Sequence, residues 1–208
     1  FYDMWKYVAA RYANESTIAA YDLFNEPNPP DLEDVFYDFY NKTIEAIRTV
    51  DSKHICMYMP PWGNGEPMRK INQPNLIFST HLYTGGTWDG VTGYKGNINT
   101  LDQDMCRGYS KAVLEWNMPL WVGEFGVGSA ATRAAEWTWD MLSLMDKYMI
   151  GSVWWTYWKD DAGMGLLDSR GAVKEIFIDT LDRPYPKSCS AEPSKFSYEK
   201  SDGIYNFS

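Results

Sequence analysis

The strongest constraint on this chain is a rhythm. Short apolar runs recur, each closing on a polar or turn-forming residue, with amphipathic stretches between most of them. The runs read as strands over 17–24, 54–59, 75–82, 119–124 and 151–158. Their ends fall near 24, 59, 82, 124 and 158, which is 134 residues in four steps, a mean of 33.5. Strand alternating with helix predicts parallel strands and an α/β class. A (β/α)8 barrel spends ~31 residues on each unit, so the spacing favours that architecture. A doubly wound nucleotide-binding sheet fits less well, because no Gly-rich phosphate loop follows any of the runs.

The helices are expected over 1–13, with Trp5, Val8, Ala9 and Tyr12 at helical spacing, and over roughly 32–50. In the second, Asp31 is the cap, and Leu32, Val35, Phe36, Phe39, Ile47 and Val50 form the inner face. Further helices are expected over 98–117, 130–148 and 174–181. The Pro/Gly/Asn stretch 60–75, which carries Trp62, is short for a complete crossover helix. Five strands do not close a barrel, and an open one exposes strand edges. The expectation is therefore that the earlier barrel half lies upstream of Phe1, in the same or an associated chain. After Trp158 the rhythm breaks: Asp160 to Arg170 read as an acidic, Gly-rich loop, and Lys174 to Leu181 as a short final helix. Arg183-Pro184-Tyr185-Pro186 reads as a rigid linker, and Ser194–Tyr198 and Gly203–Ser208 alternate around an Asp202-Gly203 turn. The organisation expected is the C-terminal portion of a barrel over 1–182, strands four to eight, then a linker and the start of an all-β, sandwich-like domain over 183–208.

Composition narrows the partners. A net charge of −9 with singly scattered Lys and Arg argues against nucleic acid. No apolar run reaches the ~20 residues of a membrane-spanning helix. Ten Trp and fifteen Tyr exceed what a core needs, and many fall in loops or at strand ends. Flat amphipathic rings suit the faces of sugars, and equally a protein-binding surface. Of the three cysteines, Cys56 reads as a buried thiol, while Cys106 and Cys189 could pair with each other or with something outside the sequence. The N-x-S/T triplets at Asn14, Asn41 and Asn206 point to a secreted, extracellular or lumenal glycoprotein.

Two of the apolar runs stop on a glutamate. One is Ala20-Tyr21-Asp22-Leu23-Phe24-Asn25-Glu26-Pro27, the other Leu120-Trp121-Val122-Gly123-Glu124-Phe125-Gly126. A charged side chain rarely follows a buried run without a role, although each could be merely the first polar residue after a strand. Pro27 disfavours the helical conformation at Glu26, and Gly123 and Gly126 bracket Glu124 with flexible backbone. Between them His81-Leu82-Tyr83 closes a third run, and alternation puts His81 and Tyr83 on one side of it. Parallel barrels carry their chemistry at the carboxyl ends of strands, where both glutamates fall. Glu26, His81 and Glu124 could also be metal ligands. The shortage of further ligands disfavours that reading, since the other histidine, His54, starts a strand at the opposite rim. Neither metal nor cofactor is expected.

Asn25-Glu26-Pro27, His81-x-Tyr83, Gly123-Glu124-Phe125-Gly126 and the run Trp154-Trp155-Thr156-Tyr157-Trp158 together resemble the retaining glycoside hydrolases of family five, over residues 17–158. The resemblance implies a (β/α)8 fold with Glu26 as acid/base and Glu124 as nucleophile. It also implies that Asn25 holds the sugar 2-hydroxyl, that His81 and Tyr83 orient substrate and Glu124, and that Trp158 or Trp155 is the platform under the sugar. In the retaining geometry the two carboxyl groups stand ~5–5.5 Å apart. The family's arginine and histidine from earlier strands are not in this chain. The tail Leu181–Pro186 leading into a β segment resembles the endoglycoceramidase-related branch. That resemblance implies glycosphingolipid cleavage and peripheral contact with a membrane surface, with Trp88, Val91 and Tyr94 lining an apolar trough. An endo-β-1,4-glucanase or mannanase, and a non-catalytic carbohydrate-binding or structural protein on the same barrel, are the alternatives.

Overall fold

The computed structural model describes residues 1–28, 33–61, 69–190 and 192–208. The expected Asp31 cap, Leu32 and Trp62 lie outside them. Five parallel strands form one sheet in chain order β1-β2-β3-β4-β5, and a separate two-stranded sheet follows. This is the α/β class and partial (β/α)8 barrel expected from the spacing. The chain divides into two compact units, residues 1–80 with 108–121, and residues 81–107 with 122–208. Each is described in turn.

The first unit holds α1 (Tyr2–Tyr12), β1 (Ala20–Asp22), α2 (Glu33–Arg48), β2 (Ile55–Tyr58) and most of β3 (Leu76–Leu82). Pairing is parallel, with Tyr21 opposite Cys56 and Met57 opposite Ile77. Helix α2 repeats apolar residues at the helical period, and Phe36, Tyr40, Ile44 and Ile47 are buried. From it a file of edge-on rings runs into the sheet: Phe36, Tyr40, Tyr58, Phe78, Trp116, with centroids 5.0–6.5 Å apart. Val35, expected on this face, is exposed, and Tyr37 takes the buried place beside Phe36. Arg48 ends the helix by donating to the carbonyls of Asp51 and His54 and to those of Pro74 and Asn75, which ties the start of β3 to the end of α2. Cys56 is buried in β2, and burial pushes its thiol up to about 11.

The second unit takes the end of β3, most of α3 (Ile98–Tyr109), most of β4 (Leu120–Phe125), α4 (Ala134–Tyr148), β5 (Gly151–Trp154) and α5 (Glu175–Leu181). Its core is aromatic. Phe125 packs on Trp137 and Trp154, and Trp154 on Phe177 of α5. Trp137, fully buried, still satisfies its indole by donating to the Thr84 carbonyl at 2.9 Å.

Three boundaries differ from expectation. Helix α4 begins at Ala134 rather than 130, because Arg133 is left-handed (φ 60°) and its guanidinium is spent on Glu136 and on the carbonyls of Tyr94 and Gly96. The helix from 98 changes to a π-helical segment over Ser110–Glu115. The fifth strand stops at Trp154: the Trp155 amide still donates to the Phe125 carbonyl, but Thr156 donates to Met164 and accepts from Leu166, so Thr156–Trp158 fold onto a loop. The peptide bond between Trp155 and Thr156 is cis.

The last segment is an antiparallel hairpin, β6 (Phe196–Glu199) with β7 (Ile204–Phe207). Tyr198 packs edge-on against Trp139 of α4. Arg183 stands 5.5–5.7 Å from the rings of Trp139, Phe196 and Tyr198 while paired with Asp146. Burial pushes the Asp146 carboxyl up to about 6 against the opposing pull of Arg183. Among the described residues no helix is long and apolar enough to cross a membrane.

Candidate active site

In the first unit the site residues sit where the regular pairing of β1 with β2 gives out. Leu23 donates to the Met57 carbonyl at 3.1 Å. Beyond it the Phe24 carbonyl accepts from the Tyr40 hydroxyl at 3.4 Å. Glu26 then adopts φ 40°, and its amide donates to the Met59 sulfur at 3.0 Å. Pro27 disfavours the ordinary helical conformation for its predecessor, and the chain turns here through the left-handed region. Asn25 and Glu26 are both exposed at this turn.

In the second unit His81, Tyr83 and Glu124 come together at the carboxyl ends of β3 and β4. The Tyr83 hydroxyl donates to Glu124 Oε2 at 2.8 Å, and His81 Nδ1 lies 3.5 Å from the same oxygen. His81 is buried, and the Glu124 side chain is 16% exposed. Both contacts fall on the one oxygen, Oε2. Gly126 sets the exit of β4, since a side chain there runs into the Trp155 carbonyl.

A family model described as cellulase (glycosyl hydrolase family 5) matches residues 1–161. The chain belongs to that family. Endoglucanase C of Acetivibrio thermocellus is 25% identical over 228 residues, covering 85% of this chain and 64% of its own length. Endo-glycoceramidase II from Rhodococcus sp., in a complex with a cellobiose-like isofagomine, superposes with a TM-score of 0.82 at 24% identity. That match covers 94% of this chain and 47% of the glycoceramidase. Thermotoga maritima Cel5A, in complex with mannotriose, superposes with a TM-score of 0.74 at 18% identity, covering 86% of this chain and 65% of Cel5A. At these identities the two structures show a shared fold. This family-5 chain thus spans about two thirds of the endoglucanase and about half of the glycoceramidase.

Around the glutamate of the second unit the aromatic residues divide. Trp155, Tyr157 and Trp158 are exposed in the loop after β5, and Trp88 and Val91 in the loop after β3. The two loops touch: a Cβ on Gly90 would lie 3.3 Å from the Met164 side chain, whose sulfur in turn borders Gly126. Tyr94, expected to line the same trough, is buried, with its hydroxyl donated to Asp140 of α4 at 2.9 Å. Its place is in the core because a partner 46 residues away satisfies the phenol. The acidic loop has its own brace. Asp160 accepts from the Gly163 and Gly165 amides and from Lys174, whose side chain is nearly buried.

Among the described residues no disulfide joins the cysteines; Cys106 is half-buried and Cys189 exposed. Asn14 and Asn206 are exposed, whereas Asn41 lies within α2 bonded to Glu45 and Gln73, and the threonine of its triplet, Thr43, is buried. Reading the sequence missed Tyr40 and Met59. The only signal for them was their place, one on the inner face of α2 and the other closing a strand.

Proposed function

We propose that the chain is the catalytic portion of a retaining endo-β-glycosidase that acts through a covalent glycosyl-enzyme intermediate. The observation that carries the reading is Glu124 at the end of β4, gripped at one oxygen by Tyr83 and flanked by His81, in a chain of family 5. Glu124 Oε1 attacks the anomeric carbon. As that bond forms, the bond to the leaving oxygen breaks, and Glu26 gives that oxygen its proton. In the second half Glu26, now a carboxylate, takes a proton from water. The water oxygen displaces Glu124, and the sugar leaves with its configuration retained. Asn25 holds the 2-hydroxyl, His81 and Tyr83 orient Glu124 and the sugar, and Trp155, Trp158 and Trp88 supply stacking faces. The reaction needs no metal or cofactor.

For the substrate, the glycoceramidase match extends over 94% of the chain and that of Cel5A over 86%, which favours cleavage of a glycosphingolipid at a membrane surface. Endoglucanase C and the mannotriose complex of Cel5A support the second reading, a β-glucan or mannan. Secretion to the extracellular or lumenal space suits either substrate. An appended β domain starting near residue 183 belongs to the first reading. A panel of lactosylceramide against cellulose and mannan oligomers separates them. Exclusive turnover of the soluble oligomers removes the glycolipid.

Trapping tests the mechanism. A 2-fluoro glycoside with a good leaving group is expected to inactivate the protein and add one glycosyl mass to the peptide containing Glu124. Labelling elsewhere, or turnover with no trapped species, defeats the assignment. Tyr83→Phe is expected to lower kcat by about tenfold to a hundredfold, since it removes one oriented donor from the reacting carboxylate. An unchanged kcat there would deny the hydroxyl its role.

A further inference from the structure

We propose that Met59 and Tyr40 are positioning residues for Glu26: a buried thioether and a buried phenol that fix the Asn25–Glu26 turn in the conformation from which the carboxyl acts. The inference rests on the acid/base reading of Glu26 given above. All of its observations lie within the first unit.

Glu26 has φ 40°, in the left-handed region that residues bearing a Cβ avoid and that persists only where the surroundings impose it. Two neighbours impose it. Met59, fully buried just past β2, accepts the Glu26 amide at its sulfur, 3.0 Å away. Tyr40, fully buried on α2, donates to the Phe24 carbonyl at 3.4 Å and accepts from the Met59 amide at 3.5 Å. Regular pairing of β1 with β2 ends at Leu23 and Met57, and beyond that point these two side chains bridge the parting strands. Burial pushes the Tyr40 hydroxyl up, so it stays a donor throughout the working pH range.

The residue types suit the task. The position of Met59 needs an apolar body, because Tyr58 and Met57 beside it are buried, and an acceptor for one amide. Leucine has the body without the acceptor. Glutamine has the acceptor but buries a carboxamide that needs further partners. A thioether supplies both at little desolvation cost. Loss of the sulfur removes the acceptor that holds the Glu26 amide, and relaxation of Glu26 toward negative φ would swing its Cα–Cβ bond and carry the carboxyl away from the leaving oxygen.

The experiment compares two substrates on the full-length protein. One is an oligosaccharide whose alcohol leaving group needs a proton; the other is a dinitrophenyl glycoside of the same sugar, whose leaving group needs none. Met59→Leu is expected to lower kcat/KM on the first by about tenfold to a hundredfold and to change it on the second by less than about twofold. Tyr40→Phe, which keeps the ring and removes the hydroxyl, is expected to show the same split, and it decides the matter if Met59→Leu does not fold. Parallel losses on both substrates, or no loss on either, overturn the positioning role. Glu26→Ala is run alongside. If it too leaves the ratio unchanged, the acid/base reading itself has failed and the positioning role falls with it. A large split in Glu26→Ala with none in Met59→Leu sinks the present inference alone.

Discussion

Glu124→Gln is expected to lower kcat by on the order of 10⁴-fold or more while leaving the protein folded and able to hold its sugar. The change exchanges one oxygen for an amide nitrogen of nearly equal size, so no cavity opens. The remaining carbonyl oxygen still accepts the Tyr83 hydroxyl that now bonds Oε2 at 2.8 Å. What disappears is the charge and, with it, the capacity to form a glycosyl ester. The side chain is 16% exposed and lies outside the Phe125–Trp137–Trp154 core, so the melting temperature should move by no more than a few degrees. The comparison of turnover with affinity is decisive. A carbohydrate-binding protein on the same fold keeps both its function and its affinity in this variant, because binding has no need of a nucleophile. Undiminished hydrolysis would refute the role of Glu124. Loss of folding would show that the carboxylate is structural.

Much of this site was legible because its chemistry lies at strand ends, and strand ends are punctuated in sequence. Pro27 after Glu26 and the glycines around Glu124 mark breaks in the backbone, and His81-x-Tyr83 places two polar side chains on one side of a strand mouth. Within the second unit both side chains reach the same oxygen of Glu124. What escaped notice depends on distant partners. The aromatic run after Val153 has strong strand propensity, yet from Thr156 onward its backbone bonds to Met164, Leu166 and Leu167, and that loop is invisible to local pattern. Ala130 and Ala131 favour helix, but the helix waits until 134 because Arg133 is held left-handed by groups on another loop. Tyr94 resembled a trough residue for want of any sign that Asp140 would receive its hydroxyl. Composition identified the aromatic excess without telling which rings were core and which were surface.

The largest stability effect is expected at Asp51, whose buried carboxylate organises the turn between α2 and β2. Oδ1 accepts the Lys53 and His54 amides at 2.9 and 3.1 Å, and Oδ2 accepts the Tyr21 hydroxyl at 2.8 Å and faces His54 Nδ1 at 2.6 Å. The far nitrogen of that ring faces the Glu15 carbonyl at 3.1 Å, so a single carboxylate ties the turn to β1 and to the segment after α1. Asp51→Ala leaves several of these donors without a partner and is expected to cost about 3 kcal/mol, or a melting temperature lower by about 10 °C. The carboxyl should also write itself into the acid limb of the stability curve. Burial pulls its pKa up, but the His54 and Lys53 amides, the Tyr21 hydroxyl and the His54 side chain outweigh burial and hold it at about 2, below its ordinary value of 3.8. Between those values the unfolded chain binds more protons than the folded one. The contribution, about 2 kcal/mol, is therefore complete above the ordinary pKa and is lost as the pH falls toward 2. Asp51→Asn keeps a carbonyl for the two amides but cannot titrate, so its stability should fall less steeply from pH 4 to pH 2, by up to one proton. Urea unfolding across that range measures the slope, and identical slopes for the two proteins would place the acid sensitivity elsewhere.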